Sequence, residues 1–366
     1  MPNLEFEIPY NNDRKTLEEL LKLDGLNGNH IREVYMNAPQ QYSGSGRVMP
    51  KASVKEVEEV VDMVHRKGIR INLLFNSTCE GADWYTPEVI SFKMDYLKVM
   101  HEQHGVEGVT VANPIYIKEI RQRFPDIEIC SSILADIDSV QKAVIHKQLG
   151  ADIIIPDINI NRDLELLEEI KEATGARLKM MVNEGCLHHC PWRKFQFNHI
   201  SHQPEDVLLH GDYIFNGCQK VIAEDLSQIL KSCWIRPEDT AKYANITNYF
   251  KIVGRDKPGS HNLRTVRAYM EESWDGDLLD IMCASLNTFT MTHGVYLDNK
   301  KLDSAGFFEK VTKCGQHCKD CDYCSKVAQD LIQLGKMTRP KLEDFGMADV
   351  ADKLENEYKR EAQNRY

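Results

Sequence analysis

The sequence predicts an α/β fold, a TIM-like (β/α)8 barrel with room for irregularity, followed by a C-terminal cysteine-rich helical extension. Three observations lead there. From about residue 31, short β-branched runs alternate with amphipathic helical stretches; eight such runs can be counted; and after about residue 280 the alternation stops and a cysteine cluster begins. Eight runs suggest a closed barrel, although an open doubly wound sheet would give the same alternation. In a chain of 366 residues this places a barrel at 1–280, a cysteine-bearing insertion at 184–231 and an extension at 281–366.

The first run is Ile31 to Asn37. Ser53 and Glu56 then have the spacing of a capping box, in which each side chain satisfies a backbone donor left open at a helix start. Val57, Val60, Val61 and Val64 mark the buried face of that helix, and Gly68 suits the left-handed residue that ends it. The second run, Ile69 to Asn76, leads into a helical stretch through His104. The third, Val106 to Asn113, is followed by Pro114, which costs no hydrogen bond in the first turn of a helix. The fourth run is Asp126 to Ile133 with a helix ending at Gly150, and the fifth is Ala151 to Asp157 with a helix ending at Gly175. The sixth, Ala176 to Asn183, opens a gap of about fifty residues, too long for a simple βα connection. Ser232 to Arg236 reads as the seventh run and Tyr249 to Gly254 as the eighth, before a helix from about His261 to Trp274. Polar residues end each run, at the rim where parallel barrels gather their binding groups.

Composition narrows the function. The opening residues carry no basic stretch followed by an apolar run, and no segment approaches the roughly 20 apolar residues of a membrane span. The chain is therefore expected to be soluble and cytoplasmic, with no membrane span. Eleven cysteines in such a chain point to metal ligation ahead of disulfides. A net charge of −11 opposes nonspecific attraction to phosphate backbones and leans toward a small-molecule substrate over a large RNA.

The cysteines fall in two groups. Cys186 and Cys190 lie just beyond the sixth run, Cys218 farther along the insertion and Cys233 in the seventh run. Four thiolates complete either an iron–sulfur or a zinc site, and spacing alone does not choose; a free Cys is also common as a small buried hydrophobe. Gly185 and Gly217 precede two of these cysteines and permit the tight backbone of a ligand loop. The second group, Cys314, Cys318, Cys321 and Cys324, packs four thiols into eleven polar residues. Its first three share the spacing of radical S-adenosylmethionine enzymes, but Cys324 can fill the open iron position and the motif follows the barrel, so radical chemistry is discounted. A [4Fe-4S] cluster or a structural zinc ion fits four thiolates there.

The ordered motifs NEGCLHHCPWR, FNGC, SCWIRPED and FKIVGR resemble the peptidase U32 family from about residue 31 to 275. The resemblance implies a barrel whose four cysteines hold a [4Fe-4S] cluster, and by position the ligands would be Cys186, Cys190, Cys218 and Cys233. The family name implies a peptidase, yet the chain has no HExxH helix and no GxSxG elbow. Other branches are similar to oxygen-independent hydroxylases of RNA bases or quinone precursors, some with prephenate as oxygen source. Cluster-dependent hydroxylation, or a related redox modification, of an aromatic small molecule or RNA base is therefore expected. The alternatives are a metal-dependent peptidase and a noncatalytic iron–sulfur subunit acting with a protein partner or electron donor.

Further candidates come from the residues themselves. Arg236 and Arg255, ending adjacent runs, could form a fork for a carboxylate, with ion pairs to Glu238 and Asp256 as the ordinary alternative. Asp157 and Glu184 could handle protons. His188, His189, His199, His202 and His210 form a local excess of imidazole, His317 lies inside the second cysteine group, and Cys79 and Cys130 read as packing residues.

Overall fold

The computed structural model describes residues 3–43, 46–47, 49–202, 217–283 and 293–347. Its main sheet is parallel throughout and made of β1 (Glu5–Pro9), β2 (His30–Asn37), β3 (Arg70–Phe75), β4 (Gly108–Val111), β5 (Glu128–Ser131), β6 (Ile153–Ile154), β7 (Arg177–Leu178), β8 (Met180–Met181) and β9 (Tyr249–Lys251). β7 and β8 are the two ends of one crossing stretch, split at Lys179. Its first end pairs with β6 and its second with β9, while β1 pairs with both β2 and β9. The ring of eight chain crossings is thereby joined all the way round, as a TIM-like barrel requires.

Two expectations about the strands need correction. Glu5–Pro9 is a strand that sequence reading passed over, and Ser232–Arg236 is not a strand. The first escaped notice because its alternation is inverted: Phe6 and Ile8 are fully buried in the core cluster, whereas Glu7 is buried in ionic contacts with two lysines. The second is apolar because Cys233, Trp234 and Ile235 are buried, but its one backbone–backbone bond to a strand region among the described residues runs from Ile235 N to Val182 O at 2.8 Å, its carbonyls being taken instead by the side chains of Asn161, Arg162 and Tyr269 before a 3-10 helix at Pro237–Tyr243. One strand missed and one added left the count at eight.

Helices α1 (Arg14–Leu21), α2 (Val54–His65), α3 (Pro87–Glu102), α4 (Pro114–Arg123), α5 (Val140–Leu149) and α6 (Leu164–Thr174) connect successive strands. The capping box at Ser53 and Glu56 is present, and Val57, Val60, Val61 and Val64 are the buried residues of α2. α7 (Arg193–Ser201) and α8 (Ser227–Lys231) occupy the long connection between β8 and β9, and α9 (Gly259–Met270) follows β9. No described helix is long and apolar enough to cross a membrane.

The extension contributes α10 (Lys301–Ser304), α11 (Phe307–Val311), α12 (Tyr323–Leu331), α13 (Arg339–Asp344) and a small antiparallel pair, β10 (Tyr296–Leu297) with β11 (Ile332–Gln333). Leu302, Phe307, Val311, Val327 and Ala328 join the same apolar cluster as the barrel. Phe307 stacks on Trp234 at 5.2 Å between centroids, and the Arg162 guanidinium lies 4.6 Å over Trp234. The charged tail beyond residue 347 lies outside the described residues.

The middle of the barrel is ionic. Lys179 Nζ bonds Glu33 at 2.7 Å and Glu7 at 3.1 Å, Lys251 pairs with the other oxygen of Glu7, and the Tyr249 hydroxyl donates to Glu33. Burial opposes ionisation of Glu33, but Lys179, Tyr249 and Arg70 outweigh it and bring the carboxyl down to about 2. Two carboxylates thus face two ammoniums in a space that parallel barrels more often fill with branched apolar side chains.

Candidate functional site

Above the ionic layer, at the C-terminal ends of the strands, lies a cavity. Tyr35 of β2, Thr110 of β4, Met181 of β8 and Lys251 of β9 line its floor, with Leu74, Leu134 and Ile155 as apolar wall. Residues just past the strands complete it: Asn76, Ser132, Glu184 and Arg255. Two further elements fold over the top. The loop after β2 brings Arg47, and α7 brings Arg193 and Phe197. Gly46 allows that loop to press inward, since a Cβ there would stand 2.8 Å from Leu134 Cδ1.

Four cations and one carboxylate line this space. Arg47 Nη2 bonds Glu184 Oε2 at 2.7 Å, and its Nε stands 3.6 Å from Asp256. Glu184 Oε1 accepts from Cys186 Sγ at 3.2 Å, and Arg193 Nη1 approaches the same sulfur at 3.6 Å. Phe197 lies beneath both guanidiniums, 5.7 Å from Arg47 and 4.9 Å from Arg193. A chain of contacts therefore runs from Arg47 through Glu184 and Cys186 to Arg193, from the cavity to the cysteine loop. Arg255 bonds Asn37 and lies 5.4 Å over the Tyr35 ring; burial lowers it to about 10, Tyr35 opposing and Arg47 adding to the shift. Lys251 is lowered to about 8 by burial, Glu7 opposing and Lys179 adding. Arg193 Nε and Asn76 Oδ1, a donor and an acceptor on the cavity wall, are buried without a partner among the described residues.

The segments carrying the first cysteine group meet on one rim. Ser232 Oγ donates to the Cys186 carbonyl at 2.8 Å, which brings the residue before Cys233 onto the loop of Cys186. Gly217 packs so closely on Trp192 that a Cβ would sit 3.0 Å from the indole, bringing the residue before Cys218 onto the one two past Cys190. His189, with a left-handed φ of 49°, turns the loop, and its N–H donates to Asn159 Oδ1 at 2.7 Å. The second group reaches the same rim: Gln316 Nε2 donates to Asn159 O at 3.1 Å and lies 3.6 Å from Cys233 Sγ.

Burial raises the thiols of Cys186 and Cys190, with Glu184 adding to the first. It takes Cys233 and Cys324 up to about 11. Cys233 is buried and Cys186, Cys190 and Cys324 are half-buried, and a cation bound to such soft sulfurs would take the place of their protons. Among the described residues no three His, Cys, Asp or Glu side chains are gathered tightly enough for one metal ion. Thiolate sulfurs are the donor type that iron–sulfur clusters and zinc both take.

The other sequence candidates are placed elsewhere. Arg236 is buried in a two-bond pair with Asp239, at 2.7 and 3.1 Å, and also bonds Asp303 and the Asn299 carbonyl; it joins the extension to the barrel and does not line the cavity. Asp157 caps the 3-10 turn at Ile158–Ile160 by accepting from Asn159. His188 is lowered to about 4 by burial and by His189. His202 Nε2 lies 3.2 Å from Cys79 Sγ, and Cys130, inside the barrel, is pushed up to about 12 by burial. His199 is half-buried, Cys318 and Cys321 are exposed, Cys314 and His317 flank the Gln316 contact, and His210 lies outside the described residues. Sequence reasoning missed Arg47, Arg193 and Lys251 as individuals, although Arg193 and Lys251 stand within the quoted motifs CPWR and FKIVGR.

Comparison with known proteins gives the family. The model of Peptidase family U32 matches residues 20–190, which include β2 to β8 and the first two cysteines. An uncharacterized protease of Methanocaldococcus jannaschii, MJ1657, is 30% identical over 304 residues, 82% of this chain and 89% of the relative. The chain belongs to peptidase family U32. Among solved structures, the U32 peptidase Mk0906 is similar at 23% identity with a TM-score of 0.46, covering 55% of this chain and 76% of that one. A tryptophan synthase from M. tuberculosis is similar at 9% identity with a TM-score of 0.42, over 74% of this chain and 90% of that one.

Proposed function

We propose that this U32 chain is an iron–sulfur-dependent enzyme that hydroxylates, without molecular oxygen, an aromatic small molecule or an RNA base, or carries out a related redox modification. The observation that carries the reading is the chain of contacts from Arg47 through Glu184 and Cys186 to Arg193, which joins a cationic cavity to the cysteine rim. Cys186, Cys190, Cys218 and Cys233 would hold a [4Fe-4S] cluster, which when bound supplies one-electron chemistry. Cys314, Cys318, Cys321 and Cys324 would hold a second cluster or zinc, the former serving as an electron relay.

The rest is done by this chain's own groups. Arg47, Arg193 and Arg255 bind and orient the carboxylates of an oxygen donor, a task for which guanidinium offers paired donors in fixed geometry. Arg236, engaged with Asp239 and Asp303, takes no part. Glu184 holds Arg47 and can accept the proton of a group bound beside it, and Phe197 with Leu134 limits the access of water. The net charge of −11 favours the small aromatic acceptor over RNA.

Anaerobic purification with iron, sulfide and zinc analysis and electron paramagnetic resonance tests this. About eight irons per chain indicate two cubanes, and about four with one zinc divide the sites between the metals. Protein prepared this way without iron overturns the proposal.

A further inference from the structure

Lys251 has no part in the function proposed above, yet it lines the cavity from the last barrel strand, with its Nζ 3.3 Å from the centre of the Tyr35 ring and paired to Glu7. We propose that Lys251 forms an imine with the carbonyl of a small 2-oxo carboxylate bound in this cavity. The inference needs the cavity and not the cluster.

The geometry carries it in three parts. First, Lys251 is the one amine among the described side chains lining the cavity; the other three cations are guanidiniums, which keep their protons and do not attack carbonyls. Second, those guanidiniums, on Arg47, Arg193 and Arg255, come from three different elements and make the space suited to a carboxylate, while the buried Arg193 Nε and Asn76 Oδ1 mark polar wall that a ligand can satisfy. Third, the two lysines of the barrel interior differ in setting. Lys179 lies between two carboxylates below the cavity and is held charged well above its ordinary range, although burial alone would lower it. Lys251 has one carboxylate and Lys179 as a like charge nearby, so near neutral pH its free amine is within reach, as an attacking nitrogen requires.

The step balances within the site. Glu7 takes a proton from the ammonium, and the nitrogen lone pair adds to the carbonyl carbon of the oxo acid. The carbonyl oxygen becomes a hydroxyl and, after collecting two of the three ammonium protons, leaves as water. A protonated carbon–nitrogen double bond remains, with no oxidant or reductant consumed.

The test uses the full-length, anaerobically purified protein with pyruvate as the probe and cyanoborohydride to reduce any imine near neutral pH, followed by digestion and peptide mapping by mass spectrometry. The expected result is one reduced pyruvyl adduct per chain, on the peptide containing Lys251. In a Lys251→Arg protein, which keeps a cation beside Glu7 and so retains the fold, that adduct disappears. No adduct on Lys251, labelling there no greater than on exposed lysines, or a signal that survives in Lys251→Arg overturns the proposal. The readout does not depend on iron content, so its failure is distinguishable from failure of the cluster reading.

Discussion

Replacing Lys179 with methionine tests whether the ionic layer is what holds the barrel closed. The layer contains Glu7 and Glu33 against Lys179 and Lys251, each no more than 6% exposed as a side chain. Removing Lys179 leaves two carboxylates for one ammonium, and among the described residues Lys251 bonds Glu7 and not Glu33, so Glu33 is left with the Tyr249 hydroxyl, Asn72 and the more distant Arg70. Breaking a buried pair by removing one partner typically costs about 3–5 kcal/mol. At about 2.1 cal/mol/K of unfolding entropy per residue, a chain of 366 residues shifts by about 1.3 °C per kcal/mol, so the thermal midpoint should fall by roughly 4–7 °C. Scanning calorimetry and urea titration, compared at a pH where Glu33 is ionised, measure the loss. Adding Glu33→Gln removes the orphaned charge and should recover part of it, a coupling of about 0.5–3 kcal/mol. A single mutant within about 0.5 kcal/mol of wild type, or a double mutant no more stable than the single, would refute the argument.

Other perturbations separate structural from cavity groups. Arg236→Met should lower the urea midpoint by an amount equivalent to about 3 kcal/mol, because Asp239 and the Asn299 carbonyl are left buried. Arg255→Met should change it far less, since burial already works against the Arg255 charge; a large loss would place Arg255 in the framework. Ser53→Ala removes half of the capping box of α2 and should cost about 1 kcal/mol in the same assay. Lys251 has a folded pKa of about 8, below the roughly 10.4 of an unfolded lysine, so between these values the unfolded chain binds more protons. Relative to Lys251→Met, wild-type stability should therefore rise with pH across that window, and a flat difference would contradict the assignment.

The sequence by itself determined the repeating βα architecture, and the pairing of β1 with β9 closed it into a ring. Its β-branched runs and capped helices set the parallel barrel, as α2 shows with Ser53, Glu56 and the valine stripe, because local hydrogen bonding and a burial period of 3.6 are legible along the chain. It also shows two groups of closely spaced cysteines, Cys186 with Cys190 and Cys314 to Cys324, as a feature of the chain itself. Only the tertiary structure decided which polar residues face one another. Glu5–Pro9 could not be recognised as a strand without the two lysines that balance Glu7, one distant in sequence by 172 residues and the other by 244. Arg236 and Arg255 look alike in sequence, but one meets Asp239 and Asp303 and the other enters the cavity. Arg47, Glu184, Arg193 and Lys251 come together only once the ring is joined. Electrostatic energy depends on distance through space and on desolvation, and neither quantity can be read from sequence spacing.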